Sequence, residues 1–265
     1  MSVHLSLLYR HNVLCLYKSE NIYMPSFYVS FCENASEIEV FDDEFHHIVN
    51  VFRHKKGAIL PLINGKGLKA QGLILDIKKK SLVLQLTDFV FVKKSEIKVS
   101  CAFSLLKNKN DLLIIEKLTE LGIEELFPMV TQNSVKLFNK NTLLKMRKTS
   151  ISATKQCDNA WLPNIHEISK LSEVIEILKT LGYLPVIASE KKPEMTCHDI
   201  TRYIQTHNIN KICLLIGPEG GFDDSEFDLF DKNSLLQVAL SKNILRAETA
   251  AICAISQIMG CLYSV

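Results

Sequence analysis

The chain has 265 residues, of which 47% are hydrophobic and 23% charged, a balance that argues against disorder and fibrous repeats and allows one large domain or two ordinary ones. Lys and Arg total 31 against 29 Asp and Glu, for a net charge of +2, so any affinity for nucleic acid has to come from where the charge is placed. No apolar run approaches the roughly 18–20 residues of a membrane helix, and the eight cysteines form neither a C-x-x-C pair nor a zinc-spaced cluster with histidine, so we expect no membrane span, no metal site, and reduced thiols in a cytoplasm.

Residues 1–23 carry a weak apolar stretch that Arg10 and His11 interrupt, with no small-residue cleavage site after it; this predicts a disordered extension rather than a secretory signal. Short extended runs follow at 26–30, 58–63, 72–77 and 81–86, the last with strict alternation, and they predict the strands of a small barrel. Asn64-Gly65 followed by Lys66-Gly67 is a hairpin signal, because these residues tolerate positive φ. One helical segment, 42–53, places Phe45, Ile48, Val49 and Phe52 on a common face, with acids in its first turn and Arg53 at its end. A charged connector over 92–98 sets the domain boundary near 92, giving domains 24–91 and 92–265. Beyond it, strands at 98–106, 125–130, 183–188, 211–217 and 235–240 alternate with helices at 109–121, 140–156, 171–181, 197–206, 223–231 and 247–260. That rhythm predicts an α/β layer on a parallel sheet.

Between Leu126 and Cys157 there is no acid, while Lys136, Lys140, Lys145, Arg147, Lys148 and Lys155 all fall there. A second basic group comprises Lys78, Lys79, Lys80, Lys93, Lys94 and Lys98. Two such groups beside a barrel fit a phosphate-backbone binder; the plainer alternative is a solvated helix face and hairpin.

Two stretches carry chemistry. In the first, LLIGPEGGF (214–222), an apolar strand runs into a glycine turn, and Asp223 or Asp224 can cap the helix that follows. It is neither a dinucleotide fingerprint nor a phosphate loop, since G-x-G-x-x-G and G-K-[ST] are both missing. With no Lys or Arg between 217 and 231, a neutral or cationic ligand fits better than a triphosphate. The second, 240–255, ends in a small-residue helix containing Ala250, Ala251, Ala254 and Ile255. Glu248 there fits a first-turn cap, whereas Arg246 precedes a helix, where a cation is unfavourable unless an anionic partner comes to it.

LLIGPEGGF, ILRAETAA (244–251) and the run from Lys109 to Pro128 together resemble the RsmE family, 16S ribosomal RNA uridine-N3 methyltransferases of the SPOUT superfamily. In the small domain His47, Ile48, Val51 and Arg53 resemble the family's H-I-x-x-V-L-R motif. The resemblance implies an N-terminal PUA-like β-barrel for RNA and a C-terminal SPOUT-type α/β domain with a trefoil knot. It implies S-adenosylmethionine held by Gly217, Glu219 and Gly220 from one loop and Leu240, Ile244, Leu245 and Arg246 from another; the strand end at Ala188, Ser189 and Glu190, which matches no motif strongly, is expected as a third wall. RNA contacts are expected from Arg53, Lys107, Lys136, Arg147 and Lys155, and Arg246 is expected to stabilise charge developing on the uracil. A homodimer is implied as well, with the alanine-rich helix as a packing face, and the expected partner is 16S ribosomal RNA in the small subunit. Asn133, Asn50 and Asn159 stand where the family usually has arginine. A SPOUT enzyme acting on a ribose hydroxyl or a tRNA base, and a non-catalytic ribosome-assembly factor, are the rival expectations.

Overall fold

The computed structural model describes residues 25–134, 140–191 and 193–263; the expected extension over 1–23 and the expected RNA contact Lys136 lie outside them. In the N-terminal part, alternating apolar residues build a five-stranded sheet from β1 (Phe27–Tyr28), β2 (Glu37–Val40), β3 (Ile59–Ile63), β4 (Leu68–Ile77) and β5 (Leu82–Phe91), in the order β1-β3-β4-β5-β2. Only the β1–β3 pair is parallel. Phe27, Leu60, Leu62, Ile74, Leu82 and Leu84 fill its buried side together with Ile48. Helix α1 (Asp42–His46) widens into a π-turn over His47–Val51, closed by the Phe52 amide donating to the His47 carbonyl at 2.9 Å. The wider turn shifts the phase of the expected apolar face. Ile48 is buried, but Phe52 swings out to 41% exposure.

The C-terminal part is an eight-stranded sheet in which every pairing is parallel. Its strands are β6 (Lys98–Ser104), β7 (Glu125–Val130), β8 (Asn164–Ile165), β9 (Ser169–Lys170), β10 (Leu184–Ala188), β11 (Met195–Thr196), β12 (Lys211–Ile216) and β13 (Leu236–Ala239). They run in the order β11-β13-β10-β12-β6-β7-β8, with β9 also on β7. The crossovers are α2 (Asn110–Glu120), α3 (Lys140–Gln156), α4 (Leu171–Thr180), α5 (Cys197–Thr206) and α6 (Asp224–Lys232), and α7 (Ala247–Tyr263) closes the chain order. Central strands are apolar on both sides, as a doubly covered parallel sheet requires. Cys101, Phe103, Leu214 and Ile216 face the core under α2, α5 and α7, while Ala102, Cys213 and Leu215 face the core under α4 and α6. Burial pushes the Cys101 and Cys213 thiols up. Ala251, Ala254 and Ile255 are fully buried, packing α7 onto α2, α5, β6 and β12. Ala251 and Ala254 are thus spent inside the chain, while Ala250, Ile252 and Cys253 of the helix expected to pair two chains keep partial exposure.

The two sheets are joined at the β3–β4 turn. Asn64 holds the turn by accepting from the Lys66 and Leu68 amides. Its tip lies against residues 160–162: the Gly67 amide donates to the Ala160 carbonyl at 2.9 Å and the Leu162 amide to the Gly65 carbonyl at 3.0 Å. The Trp161 indole donates to the Val92 carbonyl at 2.8 Å, and the Val92 amide to the Gly67 carbonyl at 2.8 Å. Around this seam Asp158 takes Lys69 at 2.6 Å and the Ser26 hydroxyl at 2.5 Å. Lys155 belongs to the same seam. It is only 8% exposed, its ammonium 2.5 Å from Glu44 and 2.9 Å from His47 Nδ1. An ammonium so engaged is not presented to a phosphate, so Lys155 leaves the set of expected RNA contacts. Part of the second basic group is likewise matched within the chain: Lys78 pairs with Glu39, Lys93 with Glu96, and Lys94 and Lys98 with Glu124.

Candidate active site

Because the strands of the larger sheet are parallel, the loops leaving β6, β10, β12 and β13 emerge at one edge, where open α/β sheets bind their ligands. They enclose a cleft of about 1170 Å³. Each loop is set by local chemistry. The β12–α6 loop stops at Asp223, which accepts from the Ser225 and Glu226 amides and so caps α6; its hydrogen bond from the Ser225 hydroxyl, with those amides, lowers its pKa. Glu226, buried in the first turn, accepts from the Asp223 amide and from the Gln132 amide, both at 2.9 Å, fastening α6 to the loop after β7. Glu219 accepts from the Lys107 amide at 3.0 Å, and the Asn133 amide nitrogen donates to the Gly221 carbonyl at 3.1 Å and the Gly220 carbonyl at 3.4 Å. A Cβ on Gly220 would stand 3.3 Å from the Asn133 Cβ, while Gly221 has φ +70°. The glycine turn is thus shaped as much by its own tethers as by room for a ligand.

The cleft brings together Gly217, Glu219, Gly220, Ile244, Leu245 and Arg246 of the residues expected from the motifs, and Ala188, Ser189 and Glu190 as well. Leu240 lines an adjoining cavity of about 280 Å³ that shares Ile244 and Leu245. Ile244 is 85% exposed, an apolar side chain standing in water. Arg246 is exposed and has no ion pair among the described residues. Lys107, expected at the RNA, is also in the cleft, whereas Arg53 and Arg147 are not. Arg53 ends the π-turn region at φ 57°, and Arg147 lies on α3 at 3.1 Å from Glu167. Sequence reasoning missed Asn108, Asn110, Lys191 and Phe227. The first two lie in the stretch from the carboxyl end of β6 to the first residue of α2, the only signal available. Lys191 sits 4.7 Å over the Phe227 ring and 3.1 Å from Asp224, contacts between distant segments that spacing does not announce. Five carboxylates line the cleft, Glu190, Glu219, Asp223, Asp224 and Glu248, against three cations, Lys107, Lys191 and Arg246.

Comparison with known proteins gives two family matches: an RNA methyltransferase domain over residues 93–259 and an RNA methyltransferase PUA domain over 42–87. The chain is 30% identical over 242 residues to the ribosomal RNA small subunit methyltransferase E of Rickettsia conorii, covering 91% of this chain and 95% of that one. A crystal structure of a ribosomal RNA small subunit methyltransferase E from Neisseria gonorrhoeae, bound to S-adenosyl methionine, shares the fold with a TM-score of 0.80 at 23% identity, covering 91% of this chain and 98% of that one. A probable rRNA-methyltransferase from Porphyromonas gingivalis matches with a TM-score of 0.75 at 25% identity, covering 90% of this chain and 98% of that one.

Proposed function

The chain belongs to the family of the ribosomal RNA small subunit methyltransferase E, an α/β RNA methyltransferase domain with a PUA domain before it, and on that footing we propose that it transfers a methyl group from S-adenosylmethionine to N3 of a uridine in 16S ribosomal RNA. The observation that carries the reading is the meeting of the two motif loops, Gly217–Gly221 and Leu240–Arg246, around one cleft. The residues present fit the cofactor. The exposed Ile244 offers a face for a flat base, and an excess of carboxylates suits a ligand with a sulfonium and an ammonium.

When bound, the cofactor supplies an electrophilic methyl group. The chain supplies position and electrostatics: the tethered glycine turn holds the ligand's place, and Arg246 stands free to take up charge on a uracil carbonyl oxygen as N3 loses its proton. A paired uracil hides N3, so the base has to leave its stack before reaction. Arg53, Lys107, Lys136 and Arg147 are the proposed RNA contacts. The Arg147–Glu167 pair is a surface pair that a phosphate can displace at little cost. The further parts of the reading are a homodimer, action on the small subunit in the cytoplasm, and a trefoil knot made as the chain returns from β13 through the cleft loop to α7; the resemblance supports all of them. The test is incubation of the purified chain with labelled S-adenosylmethionine and small ribosomal subunits, followed by nucleoside analysis. 3-Methyluridine in 16S RNA is expected; label on a ribose, on tRNA alone, or nowhere overturns the reading.

A further inference from the structure

Glu248 is the second residue of α7 and lines the cleft, yet it is only 8% exposed. Its Oε2 is buried and has no hydrogen-bond donor among the described residues. In α4, α5 and α6 the carboxylate of the third helical residue, Glu173, Asp199 and Glu226, accepts from the backbone amide of its own N-cap residue; Glu44 of α1 shares a buried, donor-free oxygen with Glu248, but its other oxygen is paired with Lys155. Glu248 therefore does not fit the plain capping role that its position suggests. A buried acceptor without a donor is costly and is retained where function brings the donor. Glu248 lies in the first turn of α7, where the helix dipole favours negative charge, and Arg246, two residues earlier, borders the same cleft.

We propose that Glu248 Oε2 accepts the proton that leaves uracil N3, an inference that rests on the methyl transfer proposed above. The N3–H bond breaks and its proton goes to Oε2. The electron pair left on N3 forms the bond to the methyl carbon, and the carbon–sulfur bond breaks with its pair going to sulfur, which becomes a neutral thioether. One sulfonium charge and one carboxylate charge disappear together, so the balance closes. A carboxylate is too weak a base to hold a free uracil anion, so the proton moves as the N–C bond forms, with Arg246 covering the charge on the carbonyl oxygen. The other charged groups of the cleft are Lys107, Glu190, Lys191, Glu219, Asp223 and Asp224.

The experiment compares the wild type with Glu248→Gln and Glu248→Asp. It measures S-adenosylmethionine affinity by calorimetry, thermal melting, and single-turnover methylation of small subunits as a function of pH. The Gln variant is expected to keep its melting temperature and cofactor affinity, and to lose about 10²–10⁴-fold in rate, with a residual rate that climbs with hydroxide where the wild type has levelled. The Asp variant keeps a carboxylate and is expected to be slower with a profile of wild-type shape, which serves as the test should the Gln variant fail to fold. A near-wild-type rate in Gln, a parallel loss of rate and cofactor affinity in Gln, or a hydroxide-dependent rate in Asp overturns the proposal alone. A wild type that puts no methyl on uracil N3 overturns the function beneath it, and the proposal with it.

Discussion

Arg246 precedes α7, where the helix dipole repels a cation, and among the described residues no carboxylate compensates it. An exposed guanidinium kept there is consistent with charge that arises only during reaction. Arg246→Ala is expected to slow single-turnover methylation by about 10²–10³-fold, the cost of one oxyanion-type donor, with cofactor affinity little changed. Arg246→Lys should recover little of that rate, because an ammonium lacks the planar fork. A folded alanine variant with a normal rate would remove Arg246 from the chemistry. The motif loops were legible because their residue types are constrained locally, by a turn and a cap. Lys155 was misread for the opposite reason: its partners Glu44 and His47 lie more than a hundred residues away, so a run without acids looked like a free basic face. For Glu248 position alone marks a cap, and its buried, donor-free oxygen becomes visible only in the structure.

At the scale of elements, patterning foretold the central strands to within two residues at either end, and the helices α3 and α5 to the residue. It missed β2, whose Glu37 and Glu39 sit on the exposed side of a short edge strand and mask the alternation. It also missed β8, β9 and β11, two-residue strands whose existence depends on the neighbour they join. The β3–β4 turn was legible as a hairpin, but its docking was not. Gly67 has φ +92°, and a Cβ there would come within 2.3 Å of the Trp161 ring. Gly67→Ala is expected to destabilise the chain by about 1–3 kcal/mol, an overpacking cost, lowering the melting temperature and altering the emission of Trp161, the chain's single tryptophan. A second element-scale prediction concerns Glu125 at the start of β7, which binds His166 at 2.5 Å and accepts from the Tyr183 hydroxyl at 2.8 Å. The hydrogen bond with His166, and then that from Tyr183, hold its carboxyl down at about 2. A depressed folded-state pKa gives stability that is present above the unfolded value of roughly 4.3 and is lost as pH falls toward the folded value. Glu125→Gln should therefore melt lower at neutral pH and lose less between those two values; an unchanged acid slope would show that another group sets it.

For the molecule as a whole, the proposed homodimer needs a surface other than Ala251 and Ala254 of α7, which are fully buried. Sedimentation is expected to show a dimer at micromolar concentration, and a monomer that methylates RNA at that concentration would disprove the assembly. The net charge of +2 hid an uneven distribution. Much of the 78–98 lysine group is consumed by Glu39, Glu96 and Glu124, whereas Lys145 and Lys148 on α3 remain exposed with no ion pair among the described residues. At the turn, the seam between the two sheets is held by main-chain groups, those of Gly65, Gly67, Val92, Ala160 and Leu162, beside the side-chain bonds of Asp158, Lys155 and Trp161. Bonds between main-chain groups survive the exchange of side chains. Mutational drift can therefore change the side chains of Val92, Ala160 and Leu162 while those bonds stay in place, leaving Gly65 and Gly67, where any side chain would collide, as the positions that drift cannot touch.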